Sequence, residues 1–312
     1  MTKLSIGAVT PRYNTAYNDV LILASKVHAW GFDSLWVTDH LQPKNAKTIL
    51  EPWTTITALS RDIPKLFLGT MALCYSYRHP AVLAYMATTL YHISEGRFIL
   101  GIGAGSRDQE TENRLLGIDF PAPVARISQL KEYLAVFKSL QKSGYASVAG
   151  TKFGLSKAAC NLMKYSEQYP PLWIGGRNKL ILRLAAQWGD GWNYFGWKIA
   201  DYKRACVIFE EECQRRRRNP STIIRSLFSG ILVASSSEEL KKKLRKAASD
   251  RGMPEERFFE YSATAIFGTP AECANQISEF ADLGVTHFIF RDYDSDASNL
   301  ECFALEVLPK IR

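Results

Sequence analysis

The chain reads as an α/β protein, a closed (β/α)8 barrel of the TIM type with insertions at the C-terminal face of its strands. Three observations predict it. Eight short apolar runs read as buried strands: Leu4–Val9, Ser34–Val37, Leu66–Leu73, Phe98–Gly103, Leu172–Gly175, Gly191–Phe195, Ile223–Val233 and His287–Phe290. Amphipathic stretches at helical spacing separate them, which implies right-handed βαβ units and a parallel sheet. The 312 residues suit a barrel, whose usual size is roughly 250 residues plus insertions. A doubly wound open sheet is the alternative. It needs fewer strands or a domain break, and no Pro/Gly/Ser linker supplies one, so residues 1–312 are expected to form one domain.

The first strand begins almost at the N-terminus, with no long apolar stretch of a secretory signal before it. A helical pattern from Val20 to Trp30 stops at Gly31. The apolar run Leu35-Trp36-Val37 then drives into Thr38-Asp39-His40. In parallel α/β folds the carboxyl ends of the strands carry the chemistry, so an adjacent carboxylate and imidazole there is a site candidate. A surface Asp capping the next element beside an idle His is an equal competitor. Lys44–Trp53 is read as a loop on the catalytic face. His79-Pro80 opens the helix Ala81–His92, with Pro80 near the first helical position, where its missing N–H costs nothing.

The fourth strand ends in Gly101-Ile102-Gly103-Ala104-Gly105-Ser106. Glycines let a ligand approach the backbone, and exposed N–H groups can cradle an anion. The third Gly of a dinucleotide fingerprint is missing, and the placement is wrong for one. Pro121 and Pro123 bracket the loop before helix Ile127–Leu140, and Ser143–Pro171 is surplus length. The fifth strand closes in Gly175-Gly176-Arg177 ahead of helix Lys179–Trp188. A glycine pair feeding a helix N-terminus suits a phosphate, with Arg177 adding charge; a plain βα turn competes. Helix Asp201–Arg218 follows the sixth strand, the Lys-rich helical insertion Ser235–Phe267 follows the seventh, and helix Ala271–Leu283 precedes the eighth.

Hydrophobic content is 46% and charged content 22%, ordinary for a soluble globular protein. No apolar stretch is long enough for a membrane span, and a cytoplasmic location is expected. The six cysteines show no C-x-x-C or zinc spacing and read as free thiols, Cys206 and Cys213 as core packing on one helix. The net charge of +8 is concentrated in Arg215–Arg218 and Lys241–Lys246. These runs have no interleaved aromatics and read as solvated helix faces rather than a nucleic-acid surface, with attraction of an anionic cofactor or substrate as a weaker reading.

Six segments in order change how the motifs read: Ser34–His40, Leu68–Thr70, Tyr77–Ala81, Ser94–Gly105, Pro171–Gly176 and Asp190–Asn193. Together they resemble the bacterial luciferase-like superfamily, and within it the deazaflavin-dependent, coenzyme F420-using branch. The resemblance implies a barrel holding a deazaflavin, or FMN, at the strand carboxyl ends, its phosphate tail toward Gly103, Ala104, Gly105, Ser106, Gly175, Gly176 and Arg177. It implies a non-proline cis peptide at Met71–Ala72 pressing on the ring. It places Asp39 on the ring and His40 near the substrate. In the sugar-phosphate dehydrogenase branch that His acts as a base and a Glu after the fourth-strand turn acts as acid. Ser106 stands at that position here, whereas Lys198 matches a phosphate-binding position of the same branch. The acidic residue of the pterin reductase branch is not seen in the first strand, which reads Ala8-Val9-Thr10-Pro11. The expectation is an oxidoreductase transferring a hydride between F420 and a small-molecule substrate. An FMN-dependent monooxygenase and a non-catalytic cofactor-binding barrel stay open as alternatives. The likeness also implies a homodimer through helices two and three; no metal, nucleic-acid or membrane partner is expected.

Overall fold

The structure is a computed structural model describing all residues except 1–2, 42–47, 144, 160, 197, 251, 263–264 and 294–295. Eight parallel strands close on themselves: β1 Ser5–Val9, β2 Ser34–Val37, β3 Phe67–Thr70, β4 Phe98–Gly103, β5 Leu172–Gly175, β6 Gly191–Phe195, β7 Ile224–Val233 and β8 His287–Asp292. Each pairs with the next in sequence, and β8 returns to β1 through Ser5↔His287 to Ala8↔Phe290. A parallel segment Ala265–Gly268 lies against the upper half of β7, from Gly230 to Val233. The barrel expected from the sequence is therefore present.

The barrel interior is a plug of large side chains. Val9, Trp36, Met71, Ile99, Trp173, Phe228 and Ile289 form one buried cluster, with the Trp36 and Trp173 rings 5.1 Å apart. Glycines on the strands make room for them. A Cβ at Gly69 would lie 2.1 Å from the Trp36 ring, and one at Gly191 would lie 2.4 Å from Trp173. His287 stands edge-on to both tryptophans. The outer faces of the strands pack on the helices through a second, larger apolar cluster.

β3 carries the bulge that shapes the mouth. Gly69 pairs with Ile99 and Leu73 with Ile102, so four steps on one strand oppose three on the other. The extra residue falls at Thr70–Ala72, and the Met71–Ala72 peptide is cis, as expected. Thr70 bridges the gap: its hydroxyl donates to the Gly101 carbonyl at 2.8 Å and accepts the Gly101 N–H at 2.9 Å.

Several elements were not expected, among them the strand Ala265–Gly268 inside the insertion read as helical and the helical C-terminus from Ser298. A helix, Arg107–Leu115, follows β4 directly, and an antiparallel hairpin, Tyr145–Val148 with Leu155–Ala159, occupies part of the surplus before β5. The loop expected over Lys44–Trp53 ends in a helix starting at Pro52; its residues 44–47 lie outside the described ones. The insertion after β7 contains helices Ser237–Asp250 and Glu255–Ser262. Five cysteines are free thiols, with Cys206 and Cys213 buried as expected; Cys160 lies outside the described residues.

Candidate active site

β2 ends in two side chains that meet different partners. The Asp39 side chain has no exposed surface. Arg78 donates to both its oxygens, at 2.8 and 3.2 Å, and the Cys74 N–H donates at 2.9 Å. Burial pushes the Asp39 carboxyl above the usual carboxylate value, and the Arg78 fork and the Cys74 N–H offset only part of that rise. Three donors on its two oxygens match the ionised form, which we take as the resident one. Arg78 also donates to Glu51 at 2.7 Å, and Glu51 caps helix Pro52–Asp62 by accepting from Trp53 and Thr54. Asp39 thus ties the bulged strand to the helix after β2.

His40 is 7% exposed, and its Nδ1 lies 2.5 Å from the Glu112 carboxylate. The other Glu112 oxygen accepts from the Tyr77 hydroxyl at 3.2 Å and the Leu41 N–H at 3.3 Å. A proton on Nδ1 directed to the carboxylate leaves Nε2 as the ring nitrogen able to accept one. Glu112 belongs to the unexpected helix Arg107–Leu115. Its buried residues Gln109, Glu112 and Asn113 sit at i, i+3 and i+4, all polar. Gln109 donates to the Asp39 carbonyl at 2.7 Å, and Asn113 accepts from Ser76 at 2.8 Å.

The glycine turns of β4 and β5 are neighbours, because Ile102 pairs with Ile174. Ala72 closes over both: a Cβ on Gly103 would lie 3.6 Å from the Ala72 Cβ, and one on Gly175 would lie 3.5 Å from it. Ala72, Gly103 and Gly175 are therefore brought together as a small-residue wall. The other turn glycines serve the fold. Gly105 has φ +81°, and a Cβ there would lie 2.6 Å from Phe120. Gly176 has φ +141°, and a Cβ there would meet Ile181 at 2.9 Å. Two N–H groups expected to face an anion are used internally, Ser106 on Gln109 and Gly176 on the Asn193 carbonyl. Ala104 gives its carbonyl to Arg126 at 3.1 Å. Helices still start immediately after both turns, at Arg107 and Lys179, with their positive ends toward them.

Arg177 is exposed beyond the β5 turn, and Lys198 is the exposed N-cap of helix Ile199–Arg215 after β6. His79 caps helix Pro80–Ile93, accepting the Ala81 N–H at 3.3 Å. A small cleft lined by Thr10, Arg12, Thr38 and Leu50 among others opens beside the ends of β1 and β2. Its lining includes Val20 from a helix and Val37 from the helix-facing side of β2, so it lies outside the barrel wall rather than in the mouth.

Sequence reasoning missed Glu112, Arg78 and Tyr77. A readable signal for Glu112 is a helix with no apolar stripe following a barrel strand, since its buried face must then meet polar partners. Nothing in the order of residues pairs Asp39 with Arg78.

A family profile described as luciferase-like monooxygenase matches residues 3–287. A phthiodiolone/phenolphthiodiolone dimycocerosates ketoreductase of Mycobacterium tuberculosis is 28% identical over 237 residues, 69% of this chain and 61% of that protein. The chain thus spans about three fifths of that relative's length, 61%. An F420-dependent glucose-6-phosphate dehydrogenase of Microbacterium testaceum is 24% identical over 326 residues, 95% of this chain and 94% of that protein. Among solved structures, an F420-dependent secondary alcohol dehydrogenase in complex with an F420–acetone adduct superposes with a TM-score of 0.83 at 22% identity, over 99% of both chains. That likeness is one of fold.

Proposed function

The chain belongs to the luciferase-like monooxygenase family, and we propose that within it the protein is a coenzyme F420-dependent oxidoreductase moving a hydride to or from a small molecule. The observation that carries this reading is the buried His40–Glu112 pair at the end of β2. Interconverting an alcohol and a carbonyl moves a hydride and a proton together. The hydride needs a carrier, and the proton needs a residue such as this imidazole. The F420-dependent dehydrogenase related over nearly the whole chain supports the choice of cofactor.

The residues present fit a flat, anionic cofactor. Ala72, Gly103 and Gly175 leave open a wall that two Cβ atoms would fill. Two helix N-termini and Arg177 offer positive potential beside it. A bound deazaflavin supplies hydride transfer at C5. The chain's own part is to hold the ring against the small wall through Met71 and Ala72, and to receive its anionic tail at the turns Gly103–Ser106 and Gly175–Arg177 through the helix N-termini that follow and Arg177, the Ser106 and Gly176 N–H groups being spent within the turns. His40 takes the substrate proton at Nε2 while Glu112 fixes the Nδ1–H tautomer and steadies the imidazolium that forms. Asp39 and Arg78 fix the strand end from which His40 projects, and Lys198 is assigned to the substrate.

A cytoplasmic homodimer is part of the proposal. Among the described residues no helix is long and apolar enough to cross a membrane. Val82 and Tyr85, 54% and 47% exposed, lie one turn apart on helix Pro80–Ile93 and support an interface there. The test of the cofactor assignment is titration of the apo-protein with F420 and with FMN at fixed salt. The proposal expects tighter binding of F420. Tighter binding of FMN would move the protein to the monooxygenase reading.

A further inference from the structure

The two sides of the barrel mouth differ. Side chains alternate along a strand, so residues two apart share a face. On β8, His287 and Ile289 face the interior, and Arg291 is therefore the next inward residue, at the mouth. Its guanidinium lies 5.1 Å from the centroid of Phe228, an interior residue of β7. Phe228 in turn stacks on Phe195 of β6, its register partner, at 5.4 Å. β6, β7 and β8 thus present an aromatic pair and a cation, across the barrel from the small wall of β3 to β5.

Arg291 differs from two other partly buried cations near this end of the barrel, Arg78 and Arg126. Arg78 is held by Asp39 and Glu51, and Arg126 by the carbonyls of Ala104 and Pro121. No carboxylate pairs with Arg291 among the described residues. The neighbouring carboxylate, Asp292, points to the other face and is taken by Asn299 at 2.7 Å and the Leu300 N–H at 2.9 Å. Arg291 is partly buried, so part of its water shell is lost. Among the described residues nothing pairs with its fork, and a guanidinium oriented by an aromatic face matches the planar geometry of an oxyanion. Phe195, 38% exposed, offers apolar surface beside it.

We propose that Arg291, with Phe228 and Phe195, forms an oxyanion subsite of the mouth that selects substrates carrying a carboxylate or phosphate on an apolar body. The proposal rests on the reading that the mouth takes a small-molecule substrate, and it is independent of which cofactor is bound. The test is a calorimetric titration of the purified protein, at constant ionic strength, with benzoate, phenyl phosphate, inorganic phosphate and benzyl alcohol. Wild type binds at least one of the two aryl anions more tightly than benzyl alcohol, and whether benzoate or phenyl phosphate leads tells a carboxylate from a phosphate. In Arg291→Gln that preference drops roughly ten- to hundredfold, and Arg291→Lys keeps part of it. F420 affinity, measured on the same preparations, stays at the wild-type value in both variants and reports on their folding. Three results overturn the proposal: no aryl anion preferred by wild type, the same preference in Arg291→Gln, or a loss of F420 affinity in a folded Arg291→Gln, which would assign Arg291 to the cofactor. A protein that prefers FMN but keeps the Arg291-dependent anion preference defeats the cofactor assignment and leaves the subsite standing.

Discussion

Two buried histidines stand at opposite ends of the barrel, and they are built for opposite ends. His287 lies at the floor, at the start of β8, 8% exposed. It meets the Ser34 hydroxyl at 2.9 Å, and that hydroxyl accepts the Trp36 indole N–H at 2.9 Å. The donor between Ser34 Oγ and His287 Nε2 is set by the imidazole tautomer, and the two tryptophans close the ring in. Burial with no anion to compensate pulls this imidazole down from the ordinary 6.5 to about 3. His40 lies at the mouth, at 7% exposure, almost as covered. The difference is Glu112: a carboxylate at 2.5 Å gives a proton on the ring a counter-charge. Burial alone makes a packing residue, and burial with a charged partner at the strand carboxyl end makes a candidate base.

The sharpest way to break this comparison is His40→Ala. Turnover should fall on the order of 10²–10⁴-fold, with F420 affinity nearly unchanged, because the group acts on the reacting proton rather than on binding. Steady-state kinetics beside a binding titration reads both. Unchanged turnover would place His40 with His287 as a packing residue.

Glu112→Gln keeps the size and the hydrogen bond but removes the charge. Turnover should fall about ten- to hundredfold. The pH–rate profile should change shape as well, which a merely structural defect would not produce.

The glycine turns extend the comparison from side chains to backbone. Gly103→Ala adds a Cβ at ordinary contact distance from Ala72, so the fold should survive while F420 affinity weakens by about 1–3 kcal/mol. Gly176→Val should instead lower the melting temperature, because it meets Ile181 and a φ of +141°. If Gly103→Ala binds F420 as tightly as wild type, the small wall is not part of the cofactor site.

The floor histidine predicts a smaller effect, on stability. The folded protein keeps His287 neutral, while the unfolded chain takes up a proton below about 6.5. Its contribution to stability is therefore full above that pH and is lost as pH falls toward 3. Melting temperatures across that range should fall less steeply in His287→Gln than in wild type.

The eight strands were legible because buried parallel strands are short apolar runs bounded by polar turns, and each lies within a few residues of its expected span. Helix Arg107–Leu115 was not. Its sequence, RDQETENRL, has no apolar stripe, and it is held by hydrogen bonds to Asp39, His40 and Ser76 that only the closed barrel brings within reach. The hairpin over Tyr145–Ala159 escaped for a related reason. Its strands are mostly exposed, and Glu132 pins its turn by accepting from Thr151, Lys152 and Phe153. At the site, Asp39 and His40 were readable as a pair at a strand end. That one is sealed by Arg78 and the other paired with Glu112, 72 residues away, depends on the fold.

The most direct test of the account is the oxygen dependence of turnover. The protein loaded with oxidised F420 is mixed anaerobically with a panel of small alcohols, followed by cofactor absorbance, and the reverse reaction is run with reduced F420 and the matching carbonyls. At least one pair is expected to convert with one F420 reduced or reoxidised per product, at the same rate with and without oxygen, and His40→Ala to slow it. Turnover only with reduced FMN, consuming oxygen in step with product, would contradict the account.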